Sequence, residues 1–89
     1  PDDTLNAAVL ALRLVDYPTR PVAEQAALRE ALEEIVRQAL ARVPEADRIV
    51  LDASDGMVVV FLGPPLQALV AADAARAAGN AASLPLALG

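Results

Sequence analysis

Residues 7 to 15, Ala-Ala-Val-Leu-Ala-Leu-Arg-Leu-Val, alternate along the chain: Leu10, Leu12 and Leu14 fall on one side, Val9, Ala11 and Arg13 on the other. A period of two predicts a strand, here with unequal faces. The leucine face suits a helix-covered core, and the face with small residues and one charge suits a surface approached by something else. Asp16-Tyr-Pro-Thr-Arg-Pro21 then reads as a turn that delivers the chain into a helix from about Pro21, where a fixed φ is pre-organised, with Thr19 as its expected N-cap. From there Leu28, Leu32, Ile35, Val36, Ala39, Leu40 and Val43 recur at helical spacing. Arg29, Glu33 and Arg37 follow at i,i+4 intervals and are expected on the solvated far side, and Pro44 is expected to close the helix.

The period returns to that of strands over residues 48 to 62, Arg48-Ile-Val-Leu-Asp-Ala-Ser-Asp-Gly-Met-Val-Val-Val-Phe-Leu62, where two apolar runs flank Ser54-Asp55-Gly56. Asp-Gly between apolar runs predicts a hairpin, because glycine takes positive φ without steric cost and aspartate tolerates it better than most residues. Asp52 and Asp55 place two carboxylates near its tip, where they either make turn chemistry and surface charge or hold a hard metal ion. Gly63-Pro-Pro65 stops the second strand and opens a second helix, Leu66 to about Ala78, with Gly79-Asn80 as its expected C-cap. Leu84 to Leu88 predicts a fourth strand, confined by Pro85 to an edge or a strand start. Tyr17, beside two prolines, is expected to cap the start of the first helix, and Phe61 to lie in the core.

The order βαββαβ predicts an α+β, ferredoxin-like domain: a four-stranded antiparallel sheet with two helices on one face. The other face is left without helices. Yet Met57 to Leu62 is apolar on both sides, and residues 8 to 15 nearly so, a patch that small monomers rarely leave in water. A covered face is therefore expected, either by a second copy or by further parts of a longer protein. Val9, Ala11, Arg13, Ile49 and Leu51 are its candidate interface residues.

Composition narrows the chemistry. The 89 residues make one domain able to bury about 60–65% of its unfolded surface. They are 56% hydrophobic with a net charge of -5, which argues against disorder, nucleic acid and anionic membranes as partners. Cys, His, Lys and Trp are absent. Ordinary zinc sites, thiol nucleophiles, Ser/His/Asp triads, P-loops and Schiff bases fall with them, and no disulfide is available. The longest apolar run is too short to span a bilayer and Pro1-Asp2-Asp3 is unlike the basic start of a signal peptide, so a soluble, cytoplasmic domain is expected. The start at Pro1 and the stop at Gly89, directly after a strand-like run, read as a piece of a larger protein.

Three segments taken together, Ala8-Val-Leu-Ala-Leu-Arg-Leu-Val-Asp-Tyr17, Ala53-Ser-Asp-Gly-Met-Val-Val-Val-Phe-Leu-Gly63 and the helix Pro65-Leu-Gln-Ala-Leu-Val-Ala-Ala72, resemble the N-terminal part of the class III nucleotide cyclase catalytic domain. The resemblance implies two metal-binding aspartates, one on the first strand and one at the hairpin, that hold divalent ions against a triphosphate. Asp55 matches the hairpin position. The first-strand position is Arg13, which puts a permanent positive charge where metal would bind. Leu51 stands where many such cyclases carry a purine-selecting lysine. Asp16 replaces a glycine before the phosphate-cradling turn, and Pro18 removes an N–H donor there.

The resemblance therefore implies a non-catalytic domain with no metal or other cofactor, in which Arg13 and Asp55 meet as a charge-assisted pair in place of lost ions. The function it implies is dimerisation through the helix-free sheet face and regulation of attached domains in a bacterial-type signalling protein, with nucleotide binding disfavoured. Two alternatives stay open: a nucleotide-binding sensor, and a divergent cyclase completed by residues beyond Gly89 or by a partner chain. Diguanylate cyclases rank lower, since their Gly-Gly-Asp-Glu-Phe signature is missing.

Overall fold

The computed structural model describes residues 7–89. The acidic start Pro1-Asp2-Asp3 lies outside them. The elements follow as β1 (Ala8–Leu14), α1 (Val22–Ala39), β2 (Arg48–Ala53), β3 (Gly56–Phe61), α2 (Pro65–Ala81) and β4 (Leu86–Leu88), with single 3₁₀ turns at Tyr17–Thr19 and Glu45–Asp47. The strands pair antiparallel in the order β2-β3-β1-β4. This is the ferredoxin-like arrangement that the βαββαβ order predicts. Among the described residues no helix is long and apolar enough to cross a membrane.

The core forms where the strand and helix periods meet. Leu10, Leu12 and Leu14 of β1 and Met57, Val59 and Phe61 of β3 are buried on one sheet face, against Leu32, Ile35 and Val36 of α1. Each such side chain contributes about 1.5–3 kcal/mol by leaving water. From α2 only Ala71, Ala75 and Gly79 are buried. These small residues, four apart, form one ridge and let the helix backbone lie close to the sheet.

Several local expectations are corrected. Helix α1 ends at Ala39, well short of Pro44, while Leu40 and Val43 stay buried beyond it. Proline disfavours helical backbone in the residue before it, so the chain leaves the helix through tighter bonds: Ala41 N–H to Gln38 O at 3.3 Å and Val43 N–H to Leu40 O at 2.9 Å. Thr19 is not the N-cap. Pro21 holds that position, and the Thr19 hydroxyl donates instead to the Asp16 carbonyl at 2.8 Å. Gln25 steadies the helix start by donating from Nε2 to the carbonyls of Tyr17 (2.9 Å) and Arg20 (3.0 Å).

Gly79-Asn80 does not end α2. The helix runs to Ala81, and Ser83 takes the left-handed conformation, φ 53°, that terminates it. Leu84 N–H bonds Gly79 O at 2.9 Å and Ser83 N–H bonds Asn80 O at 3.1 Å, the paired bonds of a Schellman motif. Gly79 sits inside the helix, where Leu86 of β4 packs on it: an added Cβ would lie 3.2 Å from Leu86 Cδ2.

The hairpin turn is Ser54-Asp55 rather than Asp55-Gly56, and no glycine has a left-handed φ. Gly56 belongs to β3 opposite both Ala53 and Arg13. Its requirement is space: a Cβ there would meet the Leu12 carbonyl oxygen at 1.8 Å.

Candidate functional site

Antiparallel register fixes which side chains share the helix-free face. Ile49, Val60 and Val9 form one row across β2, β3 and β1. Leu51, Val58 and Ala11 form the next. Ala53, Gly56, Arg13 and Ala87 form a third, at the hairpin end of the sheet. Arg13 is thus the single charged residue in three rows that are otherwise apolar. Val9, Ile49 and Leu51 are 59%, 46% and 51% exposed, while Val58 and Val60 are half-buried between their neighbours. All five candidate interface residues from the sequence lie on this face, together with Val58, Val60 and Ala87.

The acidic residues do not gather around the hairpin tip. Asp52 is opposite Met57, which puts it on the helix side of the sheet at the outer strand, whereas Arg13 is on the other face. Asp55 lies in the turn and shares a shallow depression of about 260 Å³ with Arg13, Asp16, Pro18 and Thr19. No ion pair within 4.0 Å joins Arg13 to Asp55: the pairs among the described residues are Arg20–Glu24, Arg37–Glu34 and Arg76–Asp73. The depression brings the two together without the direct contact expected of them. Among the described residues no cluster of three or more Asp, Glu, His or Cys is placed to hold a metal ion.

Asp16 itself is held in the left-handed region, φ 57° and ψ 26°, at the start of the 3₁₀ turn. Aspartate is among the few residues besides glycine that tolerate this conformation. Tyr17 behind it packs against the core, as expected of a cap over the helix start.

One polar residue escaped the sequence reading. Arg29 was expected on the solvated side of α1 but is partly buried, and its guanidinium donates to the Gly56 carbonyl and to the Ala53 carbonyl, each at 2.7 Å. It also stands 6.0 Å from the Tyr17 ring centroid. The signal was present: positions 25, 29, 32 and 36 lie on one helical ridge, with Leu32 and Val36 buried.

A second apolar exposure lies away from the sheet. Leu66, Leu69 and Val70 of α2 are exposed, and a groove of about 520 Å³ runs beside them along Ala39, Val43, Pro64 and Ala74. Gln67, at its edge, donates to Asp47 Oδ2 at 3.2 Å and buries its own Oε1 without a partner.

Comparison with protein-family models, with curated proteins and with solved structures finds no match.

Proposed function

We propose that this domain is a non-catalytic assembly module, which joins a second copy through its helix-free sheet face and so regulates the domains linked to it in a signalling protein. The observation that carries this reading is the three-row face, apolar across the sheet except for Arg13. A surface of that kind gains about 25 cal/mol for each Å² it removes from water, and only association can collect it. The cyclase resemblance fits a retired catalytic domain: Arg13 stands where a metal carboxylate would, and the depression beside it carries both Asp16 and Asp55, which repel a triphosphate.

Sedimentation across micromolar concentrations tests the contact. Val9→Glu places a charge in the first row, at a side chain already 59% exposed, so the monomer fold is little affected. The expected result is a lower assembly mass at fixed concentration with unchanged circular dichroism. A mass that Val9→Glu leaves unaltered overturns the face contact.

A further inference from the structure

The outer edge of β2 is a second, independent feature. Val50 projects to the helix side of the sheet yet is 41% exposed, and Ile49 and Leu51 on the opposite face are half exposed, so the helices leave this strand largely uncovered. Asp47 O accepts from Leu62 N–H at 2.7 Å, continuing the β2–β3 ladder one residue beyond its first pair. Backbone groups of an antiparallel strand point alternately to either side. Ile49, Leu51 and Ala53 therefore turn theirs toward β3, and Arg48, Val50 and Asp52 turn theirs outward along an open edge.

An open, apolar edge strand is a template for pairing. Bonding requires outward residues to oppose outward residues, which leaves few registers for β2 against its own copy. Centring the pair on Val50 uses the whole strand: Val50 meets Val50, Ile49 meets Leu51, and Arg48 meets Asp52, twice by symmetry. Shifting the centre by one residue loses these charge pairs, and by two it sets Arg48 against Arg48 or Asp52 against Asp52. Neither Arg48 nor Asp52 has an ion-pair partner among the described residues.

We propose that β2 pairs antiparallel with β2 of a second copy about a two-fold axis at Val50, making one continuous eight-stranded sheet. About six main-chain hydrogen bonds form, two for each outward pair. Opposite charges directly across strands stabilise the register, and like charges oppose it. The axis is perpendicular to the sheet, so the two helix-free faces lie on the same side and remain available. The edge contact therefore stands or falls independently of the face contact.

Two charge reversals test it without removing any apolar side chain. Arg48→Asp alone sets carboxylate against carboxylate at both symmetric positions, and Asp52→Arg alone sets guanidinium against guanidinium. Each is expected to weaken edge pairing on the order of ten-fold or more. Mixed together, with one chain isotope-labelled, the two variants are complementary at both positions. Native mass spectrometry in moderate salt is expected to find mixed pairs well above the binomial proportion, and the double variant Arg48→Asp/Asp52→Arg to self-pair like the wild type. Mixed pairs at the binomial proportion, as a face contact alone would give, overturn the proposal. A wild-type chain still monomeric at roughly millimolar concentration overturns it too, and leaves the edge to a strand of another protein.

Discussion

Arg29 grips the hairpin through Gly56: Nη1 lies 2.7 Å from the Gly56 carbonyl oxygen, and Nη2 lies as close to that of Ala53. These two carbonyls bracket the Ser54-Asp55 turn, so one side chain of α1 fixes the orientation of the β2–β3 hairpin against the helix. The planar fork of a guanidinium suits two acceptors side by side, and a single ammonium does not. Arg29→Ala is expected to cost about 1–3 kcal/mol in urea unfolding, and Arg29→Lys to recover little of it. Full recovery by lysine would reduce the role of Arg29 to charge alone.

Two glycines meet different neighbours, and alanine separates them. At Gly56 the obstruction is the Leu12 carbonyl oxygen, 1.8 Å from an added Cβ, and backbone in the middle of a sheet cannot step aside. Gly56→Ala is expected to cost about 3 kcal/mol or more by splaying β1 from β3. At Gly79 the neighbour is the end of the Leu86 side chain at 3.2 Å, which can rotate, and alanine inside a helix gains about 1 kcal/mol over glycine. Gly79→Ala should leave the unfolding midpoint nearly unchanged. Equal penalties at both positions would refute this distinction.

Strand and helix periods made the fold legible in the sequence, since Leu10, Leu12 and Leu14 on one side and Leu32, Ile35 and Val36 on the other define a core without further information. The open face was legible for the same reason: in β1 and β3 the residues between core positions are nearly all apolar. What depends on distant approach was hidden. Gly56 reads as a turn glycine until the Leu12 carbonyl is placed beside it, and Arg29, although it shares a helical ridge with Leu32 and Val36, has no visible acceptors until the hairpin lies over α1. At the end of α2 the local signal was misleading, because Gly79 looks like a C-cap but lies inside the helix under Leu86, and Ser83 supplies the left-handed residue instead. The Arg48–Asp52 complementarity emerges only once the outward-facing backbone groups of β2 are known.

The left-handed residues are the places where the sequence is locally under-optimised. Ser83 ends α2 at φ 53°, where glycine has no Cβ penalty. Ser83→Gly is expected to raise stability by about 0.5–1 kcal/mol, the relief exceeding the extra freedom given to the unfolded chain. Asp16 at φ 57° should gain less from the same change, because aspartate already tolerates this region. Thermal unfolding of the two variants side by side checks the order. A loss of stability in Ser83→Gly would mean that the serine supplies something beyond its backbone conformation.

Arg13 decides whether the depression beside the hairpin can accept a cation. It shares that depression with Asp16 and Asp55, so Arg13→Asp replaces the one positive group by a third carboxylate around the same space. Three carboxylates on a shallow, solvent-open site bind divalent ions weakly, and a dissociation constant on the order of 1 mM is expected for Mn²⁺ by calorimetry. The wild type, with a guanidinium in place, is expected to give no heat in the same range. Arg13→Leu removes the charge without adding a ligand and separates loss of repulsion from gain of a donor: it should stay silent while Arg13→Asp binds. Identical titrations for all three chains would show that Asp16 and Asp55 do not converge on one ion.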